Sequence, residues 1–106
     1  MATILIVDDQ VLNRKFLLAL LAFGNHRLIE AADGMAALEM VRAHRTDLVI
    51  TDILMPNMDG YEFVARLRED PEMTDIPVIF YTATYREREA NSMAQACGVK
   101  WVAEAL

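Results

Sequence analysis

The feature that most constrains the fold is a run of four apolar residues, Ile4-Leu5-Ile6-Val7, followed at once by two aspartates. The run does not alternate apolar with polar residues, so a strand built from it has both of its faces buried. Strands of that kind occur in parallel sheets with helices packed on each side. The start of the chain therefore predicts an α/β fold in which an internal strand ends at an acidic pair.

Short apolar runs and helix-like stretches alternate along the rest of the chain. The predicted strands cover residues 3–7, 27–31, 48–51, 78–81 and 99–103. The predicted helices cover residues 11–23, 35–43, 61–68 and 86–96. Strands and helices that alternate at these lengths are typical of βαβ units and a parallel sheet.

Residues that favour turns and helix ends support these boundaries. Gly24 and Gly98 follow predicted helices as C-terminal stops. Asp33-Gly34 and Asp59-Gly60 precede predicted helices as turn or cap signals. The sequence contains no repeat, low-complexity segment or linker, so its 106 residues predict one domain over residues 1–106.

Charge and hydropathy narrow the classes of function. Ten Lys and Arg residues stand against sixteen Asp and Glu, and a net charge of −6 is unfavourable for binding nucleic acid or anionic lipid. The longest apolar run, residues 16–23, is far shorter than the ~20 residues that span a bilayer. There is no signal-peptide pattern, and Cys97 is the only cysteine. We therefore expect a cytoplasmic protein that binds neither nucleic acid nor membranes.

Acidic side chains follow two of the predicted strands. Asp8 and Asp9 end the first strand, Asp52 follows the third, and Thr82 follows the fourth. In an open parallel sheet, ligands bind beyond the carboxyl ends of the strands. If the first and third strands are neighbours, three carboxylates and one hydroxyl converge there. Two carboxylates ~4 Å apart repel by ~4 kcal/mol at an effective dielectric of ~20, so the cluster must stay partly protonated or hold a cation.

The ligand atoms of this cluster are all oxygens, which favours Mg²⁺ or Mn²⁺ over zinc. The chemistry this suggests is attack by a carboxylate on a phosphorus centre to give an acyl phosphate, with the metal neutralising charge. Thr82 could then hydrogen-bond a phosphoryl oxygen. The alternative is structural: Asp8 and Asp9 as a helix cap pair, and Asp52 as a loop carboxylate.

Over its length up to residue 103, the sequence resembles the receiver domain of two-component response regulators. The matching segments are Ile4-Leu5-Ile6-Val7-Asp8-Asp9, Asp52-Ile53-Leu54-Met55-Pro56-Asn57-Met58-Asp59-Gly60 and Pro77-Val78-Ile79-Phe80-Tyr81-Thr82-Ala83. Shorter matches are Ala31-Ala32-Asp33-Gly34 and Ala96-Cys97-Gly98-Val99. The resemblance implies a flavodoxin-like, doubly wound parallel sheet of five strands in the order 2-1-3-4-5.

The resemblance also implies roles for individual residues. Asp52 would accept the phosphoryl group, with a phosphohistidine on a histidine kinase or phosphotransfer protein as the donor. Asp8 and Asp9 would hold Mg²⁺, together with Asp52 and the backbone carbonyl of Leu54. Thr82 would be the switch hydroxyl that moves toward the phosphoryl group. The protein would then be a signalling switch that assists its own phosphorylation and dephosphorylation, and not a turnover enzyme.

The C-terminal end departs from the family pattern. Family members carry a Lys-Pro pair after the fifth strand, which would fall here at Ala105-Leu106, and the only lysines are Lys15 and Lys100. We also expect the fifth helix to be missing, which would make the domain C-terminally incomplete. The first helix would then cover its face of the sheet almost alone. Because it is apolar nearly all round over residues 16–23, we expect it to be buried on more than one side.

Two other classes of function remain open. The first is a truncated or degenerate receiver that acts as an oligomerising interaction module, with weak or no phosphorylation, and self-associates through the face that lacks the fifth helix. The second is a hydrolase of the aspartyl-phosphatase type. Those enzymes place nucleophile and acid as Asp-x-Asp after one strand, whereas here the two acids are adjacent and Asp52 follows another strand.

Overall fold

A computed structural model of the chain describes residues 1–82, 92, 94–96, 98–99 and 101–104. In these ranges five strands form one parallel sheet in the order β2-β1-β3-β4-β5. The strands are β1 (Thr3–Val7), β2 (Arg27–Ala31), β3 (Leu48–Asp52), β4 (Val78–Thr82) and β5 (Trp101–Glu104). The predicted α/β class, parallel sheet and strand order are confirmed.

Within residues 1–82, three helices connect the first four strands. They are α1 (Val11–Leu21), which a 3₁₀ turn at Ala22–Gly24 continues, α2 (Gly34–Ala43) and α3 (Gly60–Glu69). Residues 92 and 94–96 are also helical, and the rest of the predicted helix 86–96 lies outside the described residues. In the described part of the chain, no helix has the length and apolar character needed to cross a membrane.

The predictions about the C-terminal end fall outside the described residues. The part of the chain outside the described residues includes Lys100, Ala105 and Leu106. The absent lysine at position 105 is therefore a fact of the sequence alone, and the missing fifth helix stays a prediction.

The helix caps form for the reasons that the sequence indicated. Asp33 Oδ1 accepts a hydrogen bond from the Ala36 N–H at 2.8 Å, and Asp59 Oδ1 accepts one from the Glu62 N–H at 2.9 Å. Each carboxylate thus satisfies a free N–H group in the first turn of a helix. The stop predicted at Gly24 lies one residue late in the structure, at Asn25, whose φ of 55° is left-handed. Asparagine is one of the few side chains that adopts this conformation readily.

Alternate residues of the strands contribute to two separate hydrophobic clusters, one on each face of the sheet. The larger cluster lies between the sheet and α2, α3 and the loop before α3, and its strand members include Leu5, Val7, Val49, Val78 and Phe80. The smaller cluster lies under α1, and its buried members are Ile4, Ile6, Leu17 and Ile50. Because residues 4–7 of β1 point alternately to the two clusters, all four of them are apolar.

Helix α1 is less buried than its composition predicts. Of its residues only Leu17 is buried, while Leu12, Phe16 and Leu20 are exposed. The expectation that α1 is buried on more than one side is therefore wrong. The helix contacts β1 and β2 through one side, and a helix with neighbours on one side buries a single stripe of residues.

Candidate functional site

The carboxyl ends of β1 and β3 bring three acidic side chains together. The two strands are neighbours, with Val7 paired to Thr51, so the residues that follow them leave the sheet side by side. One carboxylate oxygen each from Asp8, Asp9 and Asp52 lies within 4.8 Å of the others. The arrangement is a compact cluster of hard oxygen donors at the edge of the sheet where parallel α/β proteins bind ligands.

Asp8 is the most enclosed member of the cluster, with 1% of its surface exposed. Its Oδ1 accepts a hydrogen bond from the Gln10 N–H at 2.8 Å, while its buried Oδ2 has no hydrogen-bond partner among the described residues. Burial raises the pKa of Asp8 and the charge of Asp9 adds to the rise, while the Gln10 N–H, the Asn13 side chain and the charge of Arg14 lower it. A buried carboxylate oxygen without a donor is costly unless a proton or a cation sits beside it.

Asp52, the last residue of β3, is partly buried. Its Oδ1 accepts a hydrogen bond from the Ile53 N–H at 2.8 Å. Burial is the main cause that raises the pKa of Asp52 to about 6, and the charge of Asp8 adds to it, while the N–H groups of Ile53 and Leu54 oppose it. The carboxylate is therefore mostly ionised at neutral pH and carries an incompletely neutralised negative charge toward the pocket.

A pocket of about 180 Å³ opens at this cluster. Its lining residues are Asp8, Asp9, Gln10, Asn13, Asp52, Leu54 and Tyr81. Sequence reasoning named four of these and missed Gln10, Asn13 and Tyr81. Tyr81 could have been found from its register, because it is the direct partner of Asp52 in the β3–β4 ladder. The Tyr81 ring lines the same pocket as Asp8 and Asp52, and burial raises the pKa of its hydroxyl, with the charges of the two acids adding to the rise.

Thr82 is the final residue of β4, next to Tyr81 and paired in register with Glu104 of β5. Its backbone therefore reaches the same edge of the sheet as Asp52. Its side chain lies outside the described part of the structure, so the switch role of its hydroxyl stays a prediction.

Arg14 of α1 fixes the backbone beneath the acidic pair, which sequence reasoning did not anticipate. One guanidinium nitrogen donates to the Asp8 carbonyl oxygen at 2.7 Å, and Nε donates to Glu30 Oε1 at 2.9 Å. Lys15 Nζ lies 3.4 Å from the other Glu30 oxygen. The hydrogen bond from Arg14 is the main cause that lowers the pKa of Glu30. Glu30 on β2 thereby anchors the arginine that holds the end of β1.

The loop between β3 and α3 holds Asp52 from the other side. The Gly60 N–H donates to the Ile53 carbonyl at 2.8 Å, which closes the loop at its base. A Cβ at position 60 would lie 2.5 Å from the Asp52 carbonyl oxygen and 3.0 Å from Ile53 Cα. The close approach of the two backbones thus requires glycine. Within the loop Asn57 has a left-handed φ of 70°, and Met58 is buried in the larger cluster.

The comparison with protein families agrees with this geometry. Residues 4–103 match the response regulator receiver domain. The chain belongs to this family.

Relatives of known structure share the fold across nearly the whole chain. The N-terminal domain of a response regulator receiver protein from Methanoculleus marisnigri JR1 is 33% identical, with a TM-score of 0.89 over 100% of this chain and 85% of that one. The chemotaxis protein CheY4 of Vibrio cholerae is 30% identical, with a TM-score of 0.88 over 96% of this chain and 84% of that one. The flavodoxin-like receiver fold is therefore established for this chain.

Among curated proteins, the chain is similar to the polar-differentiation response regulator DivK of Brucella anthropi. The two are 37% identical over 81 residues, which cover 76% of this chain and 66% of the relative. The shared segment supports the family assignment made from residues 4–103.

Proposed function

We propose that this chain is a phosphoacceptor domain in which Asp52 takes a phosphoryl group from a phosphohistidine, with Mg²⁺ as the cofactor. The donor would be a histidine kinase or a phosphotransfer protein. The observation that carries the proposal is the convergence of oxygens from Asp8, Asp9 and Asp52 within 4.8 Å, next to a buried Asp8 oxygen with no hydrogen-bond partner among the described residues.

The donor set suits a hard divalent ion. Asp8, Asp9 and Asp52 would hold Mg²⁺, and we assign the backbone carbonyl of Leu54, a residue that lines the same pocket, as a further ligand. When bound, Mg²⁺ neutralises charge on the oxygens of the transferring phosphoryl group. Among the described residues that line this pocket there is no lysine or arginine.

The transfer step is a substitution at phosphorus. A carboxylate oxygen of Asp52 forms a bond to the phosphorus while the phosphorus–nitrogen bond of the donor imidazole breaks, and the leaving nitrogen keeps the electron pair and takes up a proton from solvent. The products are an acyl phosphate and a neutral histidine. Because the pKa of Asp52 is about 6, the nucleophile is ionised at neutral pH. The hydrogen bond from the Ile53 N–H fixes the orientation of the carboxylate.

The switch that follows would use Thr82 at the end of β4, and the domain would act as a signal carrier and not as a turnover enzyme. The family lysine after β5 would contact the phosphoryl group, and this sequence has alanine at that position. Of the two lysines, Lys15 pairs with Glu30, and Lys100 lies outside the described residues. We expect phosphoryl transfer that is slower than in receivers with the lysine, because one positive charge near the transition state is lost.

The test is incubation with acetyl phosphate or phosphoramidate and Mg²⁺, read by intact mass. We expect one added phosphoryl group that hydroxylamine removes, as it does from an acyl phosphate. Asp52→Asn should abolish the addition, and Asp8→Asn should reduce it strongly. Asp75→Asn, which alters an exposed acid in a loop remote from the site, is the matched control and should behave like the wild type.

The outcome also separates the competing functions. If the wild-type protein stays unmodified while a receiver from another protein is modified in the same mixture, the phosphoacceptor proposal fails and a purely interacting module is favoured. Steady release of phosphate from a chromogenic ester would instead favour the hydrolase.

A further inference from the structure

Tyr81, near the carboxyl end of β4, projects from the sheet next to Asp52. The two residues are direct partners in the parallel ladder between β3 and β4. Neighbouring strands lie about 4.8 Å apart, and the side chains of paired residues point to the same face of the sheet. That face is the one under α1, because Ile50 and Ile79, two residues earlier on each strand, both belong to the smaller cluster. The side chain of Tyr81 therefore leaves the sheet beside the carboxylate that would carry the phosphoryl group.

The ring of Tyr81 lies between an apolar and a polar environment. It packs against the smaller cluster and also lines the acidic pocket with Asp8 and Asp52. Tyrosine suits such a boundary, since its ring buries apolar surface while its hydroxyl remains among polar groups. Because the packing restricts the ring, the hydroxyl loses little freedom when it binds an oxygen atom.

The amide side chains that line the pocket interact with its acids. Nε2 of Gln10 donates to Asp9 Oδ2 at 3.4 Å, and the Asn13 side chain hydrogen-bonds Asp8. The Tyr81 hydroxyl, in contrast, makes no hydrogen bond to another described residue. Among the described residues that line the pocket, the tyrosine therefore has the side-chain donor that is available to a ligand.

The Tyr81 hydroxyl keeps its proton at neutral pH. Burial raises the pKa of Tyr81 above its ordinary 10, and the charges of Asp8 and Asp52 add to the rise. A protonated phenol can donate one hydrogen bond. A phosphoryl group on Asp52 would offer three strong acceptor oxygens, so an acceptor for this donor exists beside any oxygen that a metal ion contacts.

We propose that the Tyr81 hydroxyl donates a hydrogen bond to a phosphoryl oxygen when Asp52 carries the phosphoryl group. This inference rests on the proposed function, and it adds a neutral donor to the three acidic residues. The hydrogen bond forms only in the modified state, so it stabilises that state relative to the unmodified one. It also links the phosphoryl group to the end of β4, through the residue that precedes Thr82.

The test compares Tyr81→Phe with the wild type, because this substitution removes the hydroxyl and keeps the ring. Beryllofluoride, formed from beryllium chloride in excess fluoride with Mg²⁺, binds a carboxylate and reproduces the shape and charge of an acyl phosphate. In an NMR titration its affinity should fall about tenfold in Tyr81→Phe, since the lost hydrogen bond joins a neutral donor to a charged acceptor. The affinity for Mg²⁺ alone should be unchanged, because the hydroxyl is not one of the assigned ligands.

Two further measurements support the comparison. The ring signals of Tyr81, identified by their loss in Tyr81→Phe, should shift when beryllofluoride binds the wild type. Tyr61→Phe removes a hydroxyl from α3, on the opposite face of the sheet, and is the matched control. It should bind beryllofluoride like the wild type. Urea unfolding checks that each variant is folded.

Each result decides the proposal. Equal beryllofluoride affinities of Tyr81→Phe and the wild type overturn the tyrosine contact and leave the phosphoacceptor proposal standing. A wild-type protein that binds Mg²⁺ but neither binds beryllofluoride nor accepts a phosphoryl group overturns both. If Tyr81→Phe loses as much affinity for Mg²⁺ alone as for beryllofluoride, the hydroxyl supports the empty pocket, which contradicts a contact that forms only after modification.

Discussion

The two faces of the sheet are covered to very different extents. On one face α2, α3 and the loop before α3 bury a large cluster, in which Leu5, Val49 and Phe80 have no exposed surface. On the other face, the described helix that packs on the sheet is α1, which contributes Leu17 to the cluster of Ile4, Ile6 and Ile50. Its buried cluster is small, and partly buried side chains such as Ile79 and Tyr81 complete it.

The difference between the two faces distinguishes the residues that stabilise the fold from the residues that form the acidic pocket. Asp8 lies two residues beyond Ile6 and Asp52 two residues beyond Ile50, so the pocket continues the line of the α1 face. The deeply packed face fixes the backbone, while the thinly covered face leaves room for an open pocket and an exposed helix. Among the described residues, the acidic pocket thus lies in line with the less covered face of the sheet.

The largest expected effect contrasts equal substitutions on the two faces. Leu67→Ala on α3 removes a fully buried side chain and should lower the free energy of unfolding by about 4 kcal/mol. Leu17→Ala on α1 opens a site near solvent that can relax, and should cost about 2 kcal/mol. Urea unfolding monitored by circular dichroism measures both. Equal losses would mean that the two faces contribute alike and would break the comparison.

The second prediction concerns the electrostatic cost of the pocket. The pKa of Asp52 is about 6 in the folded protein against an ordinary 3.8, so the folded state holds this proton more tightly than the unfolded chain does. Without metal, stability is therefore full at low pH and falls as the pH rises from about 4 to about 6. The loss at neutral pH is at most about 3 kcal/mol.

Asparagine at position 52 does not titrate, so the Asp52→Asn variant should be more stable than the wild type at neutral pH when a chelator removes metal ions. The gain should disappear below the ordinary pKa of aspartate, and added Mg²⁺ should stabilise the wild type more than the variant. Unfolding curves across pH give the measurement. A variant that is less stable than the wild type at neutral pH would show that the pocket carries no electrostatic strain. Asp75→Asn serves as the control.

The smallest expected effect tests the link between β2 and the pocket. Glu30→Gln weakens the anchor of Arg14, and because the pair is partly exposed it should cost less than about 1 kcal/mol of stability. Since Arg14 holds the Asp8 carbonyl, the affinity for Mg²⁺ should fall by about threefold. Calorimetric titration compares the variant with Glu39→Gln, an exposed acid on α2. An unchanged affinity for Mg²⁺ would show that Arg14 holds the Asp8 carbonyl without the help of Glu30.

Much of the fold could be predicted because its determinants are local. The apolar run of residues 4–7 indicated a strand buried on both faces, and Asp33 and Asp59 indicated helix starts through their capping oxygens. The convergence of Asp8 and Asp52 followed from the neighbouring positions of β1 and β3. These features depend on periodicity, on cap chemistry and on the direction of parallel strands.

What could not be predicted depends on contacts between distant parts of the chain. The bond from Arg14 to the Asp8 carbonyl requires the orientation of α1 on the sheet, and its anchor Glu30 lies sixteen residues away on β2. The composition of α1 did not predict that Phe16 and Leu20 are exposed, because hydropathy records how apolar a helix is and not how many neighbours it contacts. The position of Tyr81 beside Asp52 could be predicted only from the register of β4 against β3.

The contact between Gly60 and Asp52 has a mechanical consequence. The first residue of α3 rests directly on the peptide group of Asp52, with no side chain between them. A bulkier residue at position 60 would act as a spacer and decouple the two segments. With glycine there, the two backbones are in direct contact, so a small tilt of the peptide group at the end of β3 would displace the start of α3.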